Sequence, residues 1–142
     1  MALAMFLPIL LFLLPGVSSD TKFTAMGNIT CRWHHPVWCY SVALVERDWF
    51  KETDDILDTN GAWCRRTSKE PYFLQGVDDG DGPNDDFYEL SIIIHHNCSN
   101  NGIRRIIKHI TPTHVKTLDS KIFFSPEVTH KGVSADDYFY HN

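Results

Sequence analysis

The stretch Glu89–Asn101, ELSIIIHHNCSNN, decides the fold, because its three consecutive isoleucines run into two histidines, an asparagine and a cysteine. A short β-branched run of this kind is typical of a buried strand. Side chains alternate between the two faces of a strand. One face therefore carries Leu90, Ile92, Ile94, His96 and Cys98, and the other carries Ser91, Ile93, His95 and Asn97. The pleat thus separates the two histidines, so they do not form a ligand pair.

Other short segments of the chain show the same strand periodicity, with turn signals between them. FTAMGNITC (23–31) puts Ala25, Gly27, Ile29 and Cys31 on one face, and CYSVALVERD (39–48) puts Tyr40, Val42 and Leu44 on its inner face. Further strand candidates are AWCRRTS (62–68), YFLQG (72–76), GIRRIIKHI (102–110) and SKIFFSPEV (120–128). This pattern predicts an all-β, immunoglobulin-like β-sandwich of seven to eight short antiparallel strands. It leaves room for one short helix, after Cys98 or within 51–58.

Residues 1–19 are predicted to be a signal peptide. The apolar run Phe6–Leu14 is too short to span a bilayer, which needs roughly 20 apolar residues. Val17-Ser18-Ser19 offers small residues for cleavage before Asp20, and an uncleaved anchor is the alternative. We therefore expect a domain at 20–133, a polar tail at 134–142, and a secreted, extracellular mature protein.

Charge and cysteine content narrow the class of protein. The net charge of −5 argues against a nucleic-acid binder, and against binding to anionic lipid by charge alone. Cys31, Cys39, Cys64 and Cys98 in an exported chain predict two disulfides. The count by itself allows three pairings.

An ordered set of motifs resembles the nematode transthyretin-like family of secreted proteins, from about Phe23 to Phe124. The motifs are Gly27-x-Ile29-x-Cys31, Val42-x-Leu44-x-Glu46-x-Asp48, Asp54-Asp55-Ile56-Leu57, Tyr72-x-Leu74-x-Gly76 and Ile92-x-Ile94-x-His96-x-Cys98. The chain departs from the family pattern at Glu70, where a glycine is usual, and in DSKIFF (119–124), which lacks the usual glycine. Cys39 and Cys64 are additions to the common cysteine pair.

The resemblance implies a transthyretin-type sandwich that binds a lipid, a hydrophobic small molecule or a cell-surface partner, without catalysis and without a cofactor. A hydrolase of the same fold acts on 5-hydroxyisourate and needs a C-terminal Tyr-Arg-Gly-Ser, whereas this chain ends DDYFYHN. The alternatives are a metal-binding or hydrolytic enzyme on the same fold, and a structural or host-interaction protein with no small ligand. By analogy with transthyretin, a homodimer through edge strands is a further expectation.

The family pattern also guides the choice among the disulfide pairings. In that pattern the Leu90 face points to the core, which makes Cys98 an inward residue, and Cys31 lies on the inner face of its own strand. The resemblance therefore favours Cys31–Cys98. Cys39 lies on an outer face, and Cys64 does so too if Trp63 points inward, which gives Cys39–Cys64.

Two groups of side chains invite a metal-site hypothesis. His34 or His35 could meet His95 or His96 near the Cys31–Cys98 end and bind zinc or copper, but a packed His96 and exposed other histidines are expected instead. The loop DDGDGPNDD (78–86) begins like an EF-hand but has Pro83 and Leu90 at ligand positions. A weak calcium site there would use Asp78, Asp79, Asp81, Asp85 or Asp86, and a solvated turn is expected instead. No metal ligand is predicted.

Two sequons lie on predicted outer faces, Asn28-Ile29-Thr30 and Asn97-Cys98-Ser99. Outward placement suits an N-linked glycan, so Asn28 and Asn97 are predicted glycosylation sites. Asn28 is the better acceptor of the two, since its sequon ends in threonine and has no cysteine in the middle position.

Aromatic residues suggest where a partner would bind. Trp33, Trp38, Trp49 and Trp63 lie near strand ends or loops, and we expect Ile93 and one face of Ile122-Phe123-Phe124 to be exposed. Packing in the core is the alternative for most of these residues. An exposed set would form a hydrophobic groove or a partner surface.

Overall fold

The computed structural model describes residues 20–34, 36–48, 54–79 and 86–137. In these ranges the chain forms eleven strands and no helix. The strands are β1 (Thr21–Thr30), β2 (Trp38–Glu46), β3 (Asp55–Thr59), β4 (Trp63–Arg65), β5 (Lys69–Asp78), β6 (Phe87–Tyr88), β7 (Leu90–His96), β8 (Arg104–His109), β9 (Thr113–His114), β10 (Asp119–Phe123) and β11 (Val133–Ser134). The predicted signal peptide at 1–19 and the end of the predicted tail, 138–142, lie outside the described residues. No helix of the described part could cross a bilayer.

Two sheets make the chain an all-β sandwich, which confirms the predicted fold class. The six-stranded sheet has the order β11-β8-β7-β2-β3, with β4 also paired to β2, and the three-stranded sheet has the order β10-β1-β5. Strands β6 and β9 form a separate pair. Three of the eleven strands have only two residues, so the eight longer ones match the predicted number. One pairing differs from the antiparallel prediction, since β1 and β10 run parallel.

The core lies between the sheets and is built from the predicted inner faces. Leu90, Ile92, Ile94 and His96 of β7 are all buried in it. Strand β7 pairs with β2 on one side and β8 on the other, and a central position of this kind explains its continuous apolar run. The other strands add Phe23, Ala25, Ile29, Tyr40, Val42, Leu44, Tyr72 and Leu74.

The outer faces of β2 and β7, at the centre of the six-stranded sheet, are largely buried as well, and here the prediction was wrong. Ile93 and His95 were expected to be exposed, yet both are buried. Ile93 lies beside Ala43 of β2 and Ile107 of β8 in the register, and with Val45 they form a second apolar cluster. Alternation assigns a residue to a face, but it does not say whether that face is covered.

The predicted short helix is absent from the described residues. Residues 55–59 form β3, which pairs with β2, and Cys98 is followed by a bend that contains Gly102 at a φ of 76°. Residues 51–53 lie outside the described part. Asn60-Gly61 is a turn signal in the sequence, but the chain does not reverse there: β3 and β4 both pair antiparallel with β2, and Gly61 between them has a φ of 66°. Asn60 Oδ1 accepts a hydrogen bond from the backbone N–H of Val42 at 2.7 Å.

Candidate functional site

The outer face of the three-stranded sheet carries a row of three apolar side chains, of which the outer two are exposed. Met26 of β1 pairs with Phe73 of β5 on one side and with Phe123 of β10 on the other, so all three project from the same face. Phe73 is 57% exposed and Phe123 is 73% exposed, whereas Ile122 is buried. The predicted exposure of one face of 122–124 is therefore confirmed. We call this surface the Phe73–Met26–Phe123 row.

Lysines and a further apolar residue flank the row. Val77 is exposed on the same face and lies opposite Lys22 in the register. Lys121 lies 3.8 Å from Asp119, and because more than half of each side chain is exposed, this ion pair holds little energy. In a chain of net charge −5, the row is thus bordered more by lysine than by carboxylate.

Close backbone packing beneath the row sets the position of its three strands. Gly27 follows Met26 and faces inward, and a Cβ at this position would lie 1.9 Å from the carbonyl oxygen of Phe124. The N–H of Phe124 donates to the carbonyl of Met26 at 3.1 Å, and the hydroxyl of Tyr72 donates to the carbonyl of Phe124 at 2.7 Å. Burial raises the pKa of Tyr72 to about 12, so the phenol keeps its proton at neutral pH. These contacts fix the direction in which Phe123 projects.

The two predicted glycosylation sites differ in what their side chains do. Asn28 is half-buried on the same outer face, two residues beyond Met26, and its backbone N–H donates to Ser125 Oγ at 3.0 Å. Asn97 Oδ1 accepts a hydrogen bond from the backbone N–H of Cys39 at 2.7 Å. Asn97 therefore has a structural role between β2 and β7, and glycosylation at either asparagine stays a prediction.

The four cysteines form two disulfides in the structure. Cys31, just after β1, bonds to Cys98, just after β7, with a Cα–Cα distance of 5.9 Å. Both are buried, so this bond ties the two sheets together through the core. Cys39 bonds to Cys64 with a Cα–Cα distance of 4.0 Å, between residues directly opposite in the β2–β4 register. These are the two pairs expected from the sequence.

The histidines within the described residues have different environments. His96 is buried, and burial lowers its pKa to about 4. Its Nε2 lies 3.2 Å from the carbonyl oxygen of Lys131, while its Nδ1 has no hydrogen-bond partner. His34 is exposed, and His35 lies outside the described residues. Across 20–34, 36–48, 54–79 and 86–137, no three His, Cys, Asp or Glu side chains meet in a way that could hold a metal ion.

The acidic loop predicted as a turn lies only partly within the described structure. Asp78, at the end of β5, is half-buried, and Asp79 and Asp86 are exposed. Asp81, Asp85 and Pro83 lie outside the described residues. The structure therefore does not test the calcium hypothesis for this loop, which stays a hypothesis.

The tryptophans have different environments. Trp38 is buried, stacks on Tyr40 with ring centroids 5.0 Å apart, and donates its indole N–H to the carbonyl of Thr67. Trp63 lies opposite Tyr40 on the core side of the sheet, but at its edge, so it is 47% exposed. The guanidinium of Arg65 covers its ring at 4.7 Å. Trp33 is half-buried, and Trp49 lies outside the described residues.

A cleft of about 430 Å³ opens at the end of the sandwich away from the disulfides. Beside it, Ser91 Oγ and His109 Nδ1 are 3.0 Å apart, since these residues are opposite each other in the β7–β8 register. This contact could not be predicted from the sequence pattern, because it depends on the strand register. Ser91 is 0% exposed, so its hydroxyl is not open to a substrate, and the contact is better explained as a structural hydrogen bond. The cleft is lined by Arg47, Asp48, Glu89, Leu90, His109, Ile110 and Pro112.

Comparison with known proteins gives one family and one relative. The family model described as Caenorhabditis elegans protein of unknown function (DUF870) matches residues 26–137. An uncharacterized protein of Caenorhabditis elegans is 29% identical over 85 residues, which is 60% of this chain and 61% of the relative. The chain thus spans less than two thirds of that relative. No solved structure gives a significant match. The matches agree with the nematode part of the resemblance seen in the sequence.

Proposed function

The chain belongs to the DUF870 family of Caenorhabditis elegans proteins, and on that premise we propose that it is a secreted binding protein without catalytic activity. The proposed partner is an apolar surface, foremost a lipid surface, which docks on the Phe73–Met26–Phe123 row. A transthyretin-like relationship is part of the proposal, and the two-sheet sandwich supports it. The family description names no function, so the proposal rests on the geometry of the Phe73–Met26–Phe123 row.

The observation that carries the proposal is the exposure of Phe73 and Phe123 on either side of Met26. Large apolar side chains that lie together on a solvent-facing sheet are a marker of interaction sites. Both phenylalanines expose more than half of their surface, so they protrude and do not enclose a small molecule. This geometry favours an extended partner over a small ligand.

The bordering charges are compatible with a lipid partner. Lys22 and Lys121 are exposed near the row, where their ammonium groups could reach lipid phosphates while the phenyl rings enter the apolar layer. The whole chain is acidic, so we expect the apolar contact to provide most of the binding free energy.

The proposed extracellular location has two supports. The predicted signal peptide at 1–19 would direct export, and the two disulfides are typical of a protein that folds in an oxidising compartment. In such a compartment the domain would meet cell surfaces and lipid particles.

Vesicle co-sedimentation tests the proposal. The protein is produced in the bacterial periplasm, where disulfides form and no glycan is added, and is mixed with neutral and with partly anionic phospholipid vesicles. We expect the protein to bind both kinds of vesicle. In F73S and in F123S the affinity for vesicles should fall roughly ten-fold or more, because the loss of each ring removes about 1.5–3 kcal/mol of apolar contact.

V133S is the matched control, since Val133 is also 57% exposed but lies on β11 of the other sheet. It should bind as the unaltered protein does. Absence of vesicle binding, or equal binding by F73S and V133S, would exclude the row as a lipid-docking site.

A further inference from the structure

We propose that an N-linked glycan on Asn28 covers the Phe73 side of the Phe73–Met26–Phe123 row and thereby controls access to it. The covering depends only on the fold and the sequon, whereas control of access rests on the proposed function. The glycan is the occupant that the sequence itself supplies for this exposed apolar face.

Register places Asn28 beside the row. It lies opposite Pro71 of β5, and two residues from Met26 along β1, so its side chain projects from the same face as both. Phe73 is its diagonal neighbour across the β1–β5 pair, at a distance of about 7–8 Å between Cα atoms. The first sugar on Asn28 Nδ2 is therefore within contact reach of Pro71, Met26 and Phe73.

The Asn28 amide is available for this role. The residue is half-buried, and its side-chain amide makes no hydrogen bond to any residue that the structure describes, whereas its backbone N–H donates to Ser125 Oγ. The fold uses its other strand-bordering asparagines differently: Asn60 Oδ1 and Asn97 Oδ1 each accept a backbone N–H at 2.7 Å. Asn28 is thus the sequon asparagine whose amide the fold leaves unused.

The chemistry of a glycan suits this surface. One face of a pyranose ring presents C–H groups, which can pack on a phenyl ring and on a proline, while its hydroxyls stay hydrated. A cover of this kind removes apolar area from water without creating a new apolar surface.

A double-mutant cycle tests the covering. The full chain is secreted from a eukaryotic host as the unaltered protein and as N28Q, F73S and N28Q/F73S, and intact mass before and after glycosidase treatment reports the glycan. We expect a glycan on Asn28. Loss of this glycan in N28Q should lower the melting temperature by about 3 °C relative to the unaltered protein. Loss of the glycan in N28Q/F73S should lower the melting temperature by less than about 1 °C relative to F73S. T30A removes the same glycan while keeping Asn28, so it is the control.

Vesicle binding by the same samples tests control of access. N28Q and T30A should bind roughly ten-fold or more tightly than the glycosylated protein. An unglycosylated Asn28, or an equal loss of melting temperature in both backgrounds, would overturn the covering. Equal vesicle binding with and without the glycan would overturn the control of access. If glycan-free protein binds no vesicles, the proposed function fails instead, and the melting cycle still decides the covering.

Discussion

His96 is a titratable side chain enclosed in an apolar core, and its protonation opposes folding. It lies on the core side of β7 with one ring nitrogen near the carbonyl of Lys131 and the other without a partner. Burial is the main cause of its lowered pKa, about 4 against an ordinary 6.5. Because the unfolded chain binds the proton more readily, the stability that neutral His96 provides is present above pH 6.5 and is lost as the pH falls towards 4.

We therefore predict an acid-sensitive stability that depends on His96. From roughly pH 7.5 to pH 5 the free energy of unfolding should fall by about 2 kcal/mol more in the unaltered protein than in H96Q. Urea unfolding at the two pH values measures the difference. The pKa of Glu127 is lowered to about 2, mainly by the Thr129 hydroxyl. The Glu127 carboxylate would therefore lose its contribution to stability only below about pH 4.5, which is outside the range from pH 7.5 to pH 5. I94V, a core change on the same strand, should keep the full pH dependence, and an unchanged dependence in H96Q would contradict the prediction.

Gly27 is the residue on which the position of β10 depends most directly. A methyl group there would meet the carbonyl of Phe124, which is backbone and cannot rotate away. We expect G27A to lower the free energy of unfolding by about 3 kcal/mol or more. It should also weaken vesicle binding by the Phe73–Met26–Phe123 row, because it shifts Phe123. G61A is the control, because Gly61 has a positive φ but no atom within 4 Å, so only backbone strain of about 1 kcal/mol should appear. Similar losses in the two variants would exclude the steric explanation.

At the scale of strands, alternation in the sequence predicted the faces well and the partners poorly. It placed Leu90, Ile92 and Ile94 in the core, as found, and it predicted that one face of 122–124 is exposed, which the structure shows to be the face of Phe123. It could not reveal the parallel pairing of β10 with β1, because a period of two contains no information on strand direction. The row itself joins residues about 50 and 100 positions apart, and the Ser91–His109 contact likewise depends on register. Neither the row nor the Ser91–His109 contact could therefore be predicted from the sequence.

The two disulfides join different elements, and their removal should have different consequences. Cys31–Cys98 closes a loop of 67 residues between the two sheets, which is worth about 4 kcal/mol by loop entropy. Cys39–Cys64 holds the three-residue edge strand β4 to β2. We expect C39A/C64A to lose hydrogen-exchange protection mainly in 63–65, and C31A/C98A to lose it in both sheets. Hydrogen exchange followed by mass spectrometry measures this, and an equal loss in β7 for both variants would argue against it.

At the scale of the whole molecule, the two sheets differ in how far their outer faces are buried. In the six-stranded sheet the central strands β2 and β7 are buried on both faces, through the core and through the cluster around Ile93, whereas Ile56 and Val133 on its edge strands are exposed. The three-stranded sheet is buried on one face and exposes two phenylalanines on the other. A domain with a full core does not need exposed rings for its stability, so the exposure of these two phenylalanines points to a partner or a cover on that side.

The start of β1 allows a prediction about export. Thr21 is buried, and its hydroxyl donates to the carbonyl of Thr117 at 2.6 Å, so β1 begins one residue after the predicted cleavage point. Cleavage before Asp20 would leave intact every strand of the described residues. We therefore expect chain secreted from a eukaryotic host to begin at Asp20, as determined by N-terminal sequencing. S19R should slow processing because the cleavage site requires a small residue, whereas D20N should not. Secreted protein that keeps Met1, or that begins within β1, would contradict the signal-peptide assignment.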